Sequence, residues 1–269
     1  MPRPYAFMSP PYRIPYRLLL PRIPSLLTGQ RRSLGRDLEV LFATIDNVPR
    51  VVDAECIPQR DAFLLVMNHF HRADIPAWWS ALAAARAVAV RRAGHAPNDV
   101  RMIIASQWTY ARRWQHVLIE PLMHLMIGRI ARAYNLVTIE PTALGVAHAA
   151  ERAQSIRHVL AAAKQAVRNG EPFGLAPEGG DSTGGGLMCP PTGAGRFMLL
   201  LANSGMPLLP VGVFADGDRL VTRFAESFLL TAPHALSKPA LDDWAAHDVM
   251  RRIAQLLPRA LRGVYREAL

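Results

Sequence analysis

The stretch VMNHFHRAD, residues 66–74, places two histidines, an arginine and an aspartate at the end of AFLLVM, an apolar run with the length and composition of a buried strand. His69 and Asp74 bracket four residues, a spacing that spans a strand end and the first turn of a helix. A tight turn there brings the carboxylate back to one imidazole nitrogen and leaves the other as an acceptor for a hydroxyl proton. That is the arrangement of a general base with its orienting group. Two other readings use the same residues. His69, His71 and Asp74 could begin a metal site, but no second histidine or cysteine cluster with ligand spacing exists to close it. The cluster could also be a capped helix start with hydrogen-bonded histidines.

A second polar stretch, GLAPEGGDSTGGG (174–186), also follows a strand-like segment. Its glycines permit close backbone approach to a ligand, and successive amides can cradle an anionic oxygen. The Gly-Lys-Ser/Thr ending of a P-loop is absent. Gly180, Ser182 and Gly184 meet the Gly-x-Ser-x-Gly elbow pattern literally, so a serine hydrolase using Ser182 is an alternative. The Pro-Glu before it and the glycine run behind it suit an open loop better than a strand-to-helix elbow.

Strands and helices must alternate to hold these two stretches together. LGRDLEVLFATI reads as a short helix, RVVDA and AFLLVMN as strands, and the helical pattern resumes at Ile75, with Asp74 placed to cap it and Pro76 in its first turn, running to about Val90. Then come the strand VRMIIAS, the helix YARRWQHVLIEPLMHLMIGRIARAY, the strand NLVTIE and a helix from Ala147 that ends on Gly170. PFGLA, the helix GAGRFMLLLANSG, the strands PLLPVGVF and RLVTRFAESFLL, and the amphipathic helix LDDWAAHDVMRRIAQLL complete the chain. The order predicts an α/β fold, a mainly parallel or mixed sheet covered by helices on both faces. Functional groups of such sheets gather where strands end and loops begin. One domain, 37–269, is expected behind a basic, Pro-rich N-terminal arm, 1–36.

The chain has 269 residues, 51% of them hydrophobic and 19% charged, enough for one full core and too ordered a composition for a disordered chain. Its formal charge of +10 favours anionic partners. With few aromatics and no basic recognition helix, nucleic acid is not expected among them. Cys56 and Cys189 lack paired spacing and read as plain thiols of a reducing compartment. No run is long enough to span a bilayer. The arm, however, carries Arg3, Arg13, Arg17, Arg22, Arg31, Arg32 and Arg36 before the first acid, Asp37, among tyrosines and RLLLPRIPSLL. That mixture suits an anionic membrane surface, and equally a proline-broken arm packed on the domain. Trp78, Trp79, Trp108 and Trp114 read as core before acyl-path lining.

Together, NHFHRAD and PEGG resemble the glycerophospholipid acyltransferase family, the lysophosphatidic acid acyltransferase type, whose members carry Asn-His, four residues, Asp, and later Phe-Pro-Glu-Gly-Thr. AAAKQAVRNGEPFGLAPEGG resembles the helix and strand ahead of the third family motif. PTGAGRFMLLLANSGMPLLPVGVF resembles the stretch ending in the fourth, and the likeness runs over about residues 60 to 266. The resemblance implies transfer of a fatty acyl group from acyl-CoA or acyl carrier protein to a hydroxyl of a lysophospholipid-type acceptor, with no cofactor beyond that co-substrate and no metal. His69 would be the general base and Asp74 its partner; Glu178, Gly179 and Gly180 would help form the acceptor site, and Pro210 stands at the fourth-motif proline. The protein would work in the cytoplasm, peripheral to the inner face of the cell membrane.

Two departures fall on the acceptor side. The second family motif ends in an arginine, but YNLVTIEPT has Glu140 and Pro141 there, leaving Arg129 or Arg132 as substitutes that also read as a solvated helix face. The third motif has Ala176 for Phe and Gly180 for Thr. Another lipid alcohol is therefore open as acceptor, as is a non-catalytic lipid-binding member of the same fold.

Overall fold

The computed structural model describes residues 12–95, 97–106, 113–141, 149–180, 185–233 and 235–267. Seven strands form one sheet in the order β1-β7-β6-β2-β5-β3-β4. They are β1 Arg50–Val52, β2 Leu64–Met67, β3 Arg101–Ala105, β4 Val137–Ile139, β5 Phe173–Leu175, β6 Leu208–Asp216 and β7 Arg219–Phe224. Every neighbouring pair is parallel except β6 and β7, which form an antiparallel hairpin closed by Gly217 and Asp218. The sheet is thus mixed. All four side chains of β2, Leu64 to Met67, are fully buried, which a period-2 strand achieves only with both sheet faces covered.

The helices supply that cover. They are α1 Tyr16–Leu19, α2 Ile23–Thr28, α3 Leu34–Phe42, α4 Trp78–Arg91, α5 Arg113–Ala133, α6 Ala149–Asn169, α7 Ala194–Ala202 and α8 Lys238–Gln255. The α4 helix packs on α3 and on β6 and β7, while α8 packs on α7 and on β6 and β2. Gly212 in β6 is where the end of α8 comes closest, since a Cβ there would lie 2.6 Å from the Leu256 side chain. Trp79 is fully buried among Tyr12 and Phe42, whereas its stacked neighbour Trp78 is 43% exposed. Trp108 lies outside the described residues, and Trp114 falls where no side chain is described.

Two expectations about helix starts change. The α4 helix begins at Trp78 with Ala77 at its N-cap position, so Asp74 does not cap it. Arg72 and Ile75 instead exchange backbone hydrogen bonds across a two-residue turn with Asp74 in it. A proline at 76 disfavours helical backbone at Ile75, which pairs across the turn instead of joining the helix. The last helix starts earlier than its apolar pattern, at Lys238, because the Ser237 hydroxyl accepts from the Ala240 amide and a proline fits its first turn.

The N-terminal arm divides its residues between core and solvent. Tyr12 is buried, its hydroxyl donating to Asn47 O at 2.8 Å and accepting from Leu220 N at 2.8 Å. Asp37 accepts from Arg32 on both oxygens at 2.7 Å, from Arg22 at 3.1 Å and from Tyr134 at 2.8 Å, tying the arm to α3 and to the end of α5. Tyr16, Leu20, Ile23 and Leu27 remain exposed, and α2 packs on α5, which exposes Leu122 and Leu125. Because α3 already begins at Leu34, capped by Ser33, a boundary at residue 36 falls inside a helix.

Candidate active site

The site forms at the carboxyl edge of the parallel strands. β2 and β5 are neighbours with Val66 opposite Leu175, and continuing that register by three residues sets His69 beside Glu178. Behind β2, Asn68 extends the ladder with its side chain: Asn68 Nδ2 donates to Val213 O at 2.8 Å, and Asn68 Oδ1 accepts from Val213 N at 2.7 Å. This amide, 1% exposed, fixes the chain one residue before the imidazole. Phe70, one residue after it, is buried, and its carbonyl accepts from the Ser80 hydroxyl of α4.

Glu178 is 5% exposed and spends both oxygens on backbone amides: Oε1 accepts from His69 N at 2.7 Å and Oε2 from Met188 N at 2.8 Å. Burial pushes its carboxyl above the usual glutamate range, and the two amides pull partly back. Two stretches more than a hundred residues apart thereby meet through a carboxylate and an amide. Gly179 has φ +65, a left-handed backbone that glycine adopts freely, and turns the chain away behind Glu178 against Pro191. Gly180 faces open space.

Asp74 meets an arginine. Arg72 Nε donates to Asp74 Oδ1 at 2.6 Å and Nη2 to Asp74 Oδ2 at 2.9 Å, while Nη1 donates to Gly217 O at 2.7 Å in the β6–β7 turn. The guanidinium holds the Asp74 carboxyl below the usual aspartate range. Both oxygens of this carboxylate are thus engaged by Arg72.

The other candidates scatter. Arg132 is exposed on the last turn of α5, with its aliphatic stem against Gly29. That turn leads into the start of β4, so Arg132 sits at the sheet edge opposite His69 and is not brought to it. Glu140, just past the end of β4, lies at the same edge as His69 and accepts from the Ser106 hydroxyl at 2.8 Å. A carboxylate therefore occupies the place where the second-motif arginine is expected. Pro210 sits in β6 beside Val66, one residue before the first β7 pair, where its missing amide interrupts no ladder bond. Ser182 lies outside the described residues. Cys56 and Cys189 are both free.

Asn68, Arg72 and Met188 are the contributors that residue-type reasoning passes over. The first two are polar residues inside the quoted motif and were available as signals. Met188 contributes only its backbone amide, which leaves no trace in composition.

The sequence pattern of a family described as Acyltransferase matches residues 48–214. No curated protein matches the chain. Among solved structures, the crystal structure of the 1-acyl-sn-glycerophosphate (LPA) acyltransferase PlsC from Thermotoga maritima is similar at 17% identity, covering 90% of this chain and 86% of that one with a TM-score of 0.44.

Proposed function

The chain belongs to the acyltransferase family, and from that premise we propose that it moves a fatty acyl group from a thioester, acyl-CoA or acyl carrier protein, to the hydroxyl of a lysophospholipid-type acceptor. His69 is the general base in this reading. Its neutral imidazole takes the acceptor's hydroxyl proton as the oxygen bonds to the thioester carbonyl carbon; the C–S bond breaks, and the imidazolium returns the proton to the leaving thiolate. Ester and free thiol result, and no acyl-enzyme forms. Asp74 orients the imidazole, sharing its carboxylate with Arg72, and Glu178 holds the backbone of the base in place. The observation that carries this reading is the 2.7 Å bond from His69 N to Glu178, which joins the two motifs at one sheet edge.

Glu140 stands where the second family motif carries its arginine, and the loss of that guanidinium, the group that would meet a phosphomonoester, favours a second acceptor class, lipid alcohols without a phosphate. The exposed apolar residues of α1, α2 and α5, with exposed Arg13 and Arg17 beside them, support work at the inner face of the cell membrane, attached peripherally from the cytoplasm. No described helix is long and apolar enough to cross a membrane.

The test is release of free thiol from long-chain acyl-CoA by purified protein, with lysophosphatidate, monoacylglycerol or no acceptor, in wild type and His69→Ala. Acceptor-dependent release that falls about 10²- to 10⁴-fold in the variant supports the base assignment. Release that needs no acceptor and survives the substitution sinks it. Preference between the two acceptors decides what Glu140 means.

A further inference from the structure

We infer that the C-terminal segment, residues 259–265, is a positioning element of the site, acting on His69 through Leu187, Met188 and Glu178. The inference rests on His69 being the base. The segment consists of two short 3-10 turns, Arg259–Leu261 and Gly263–Tyr265, far from the site in sequence. Its backbone grips Leu187 on both sides: Leu187 N donates to Leu261 O at 3.0 Å, and Val264 N donates to Leu187 O at 3.4 Å. Gly263 lies against the Leu187 backbone, where a Cβ would collide with the Leu187 carbonyl, and its φ of +50 is a second reason for glycine. Tyr265, 2% exposed, anchors the segment next to the ring of His247 and shares a hydrogen bond with Cys189.

The gripped residues are those that hold Glu178. Met188, next to Leu187, donates one of the two amide bonds to that carboxylate, and His69 donates the other. On the opposite flank Gly185, with φ +77, packs so closely that a Cβ would lie 3.0 Å from the Phe70 ring and 3.2 Å from His71 O. Residues 185–188 are therefore clamped between the C-terminal turns and the loop of the candidate base. A shift of Leu187 reaches Met188 through one peptide unit, tilts the Glu178 carboxylate, and displaces the His69 backbone. Displacements of about 1 Å in catalytic geometry cost on the order of 10²-fold in rate, so an element without a reacting group can still set turnover.

The test compares two glycines with the same steric problem. Gly195 in α7 faces the Asp242 carbonyl as tightly as Gly263 faces Leu187, but it belongs to the contact between α7 and α8. Full-length Gly263→Ala and Gly195→Ala are assayed for acyl-CoA turnover below both melting temperatures, alongside wild type and His69→Ala. Gly263→Ala is expected to lose about 10- to 100-fold in kcat with acceptor KM changed less than about threefold, and Gly195→Ala to keep its kcat despite a comparable fall in melting temperature. Amide exchange at Met188 and His69 should rise in Gly263→Ala alone. Unchanged exchange, or equal loss of kcat in both variants, overturns the inference. If Gly263→Ala does not fold, Tyr265→Leu, which unpins the turns without a clash, is held to the same criteria. His69→Ala turning over like wild type removes the base assignment instead, and the exchange result then still decides whether the segment positions this loop.

Discussion

At the scale of single residues, Asp74 and Glu178 are carboxylates with opposite surroundings. Asp74 stands in a partly exposed turn with a guanidinium on both oxygens and stays charged well into acid. If it also serves the imidazole, Asp74→Asn lowers kcat far more, about 10²-fold or beyond, than Arg72→Gln, which removes the competitor and leaves the carboxylate. Equal effects of the two substitutions would mean that the Asp74 carboxylate serves only the ion pair. Glu178 is buried between two amides, and a glutamine in its place has one oxygen to offer them. Glu178→Gln should therefore cost about 1–3 kcal/mol and lower kcat by roughly tenfold, the stability loss measured by urea melts. Because its folded pKa is raised above the ordinary 4.5, the folded chain holds more protons than the unfolded one between those values. Wild-type stability then declines as pH rises through that window, and the glutamine variant lacks this slope.

At the scale of elements, Asp37 gathers Arg22, Arg32 and Tyr134 and so fastens the arm to α3 and α5. Burial alone would raise its pKa; the hydrogen bonds from Arg32 and Tyr134 and the charge of Arg22 outweigh it and bring it down. The stabilisation is accordingly complete above the unfolded value of 3.8 and lost as pH falls through the lower folded one. Asp37→Asn should cost on the order of 2 kcal/mol, read as a lower denaturation midpoint, with faster proteolysis of the arm. The burial of the same aspartate is invisible in sequence, where it appears only as the first acid after seven arginines. Most elements are legible, because apolar runs such as AFLLVM and the helical spacing from Ala147 to Gly170 obey the periods of strand and helix. What escapes is tertiary. Arg92 lies just past the expected helix end near Val90, yet it is fully buried and donates to the carbonyls of Pro58, Arg60, Asp61, Pro97 and Gly170. Arg132 looks like any helix arginine until the strand order puts it at the far edge. His69 is named by type and spacing and Glu178 by the family resemblance, but their junction depends on β5 inserting beside β2, which local pattern does not encode.

At the scale of the whole molecule, the proposed association with anionic lipid would draw on the charge of +10 and the apolar surface of α1, α2 and α5. Each arginine near such a surface contributes about 1 kcal/mol, screened by salt, and each leucine adds apolar burial. Co-sedimentation with vesicles holding about a third anionic lipid should fall steeply at high salt, and Leu20→Gln with Leu27→Gln should weaken it by roughly tenfold even at low salt. Binding that ignores both salt and the substitutions would exclude this surface.

The strand order carries one more consequence. The sheet begins and ends in β1 and β4, each only three residues long. Unpaired strand edges are templates for joining one chain to another, and short edges are poor templates. A sheet blunted at both ends therefore offers a second copy of the chain little edge to extend, however densely the copies are packed.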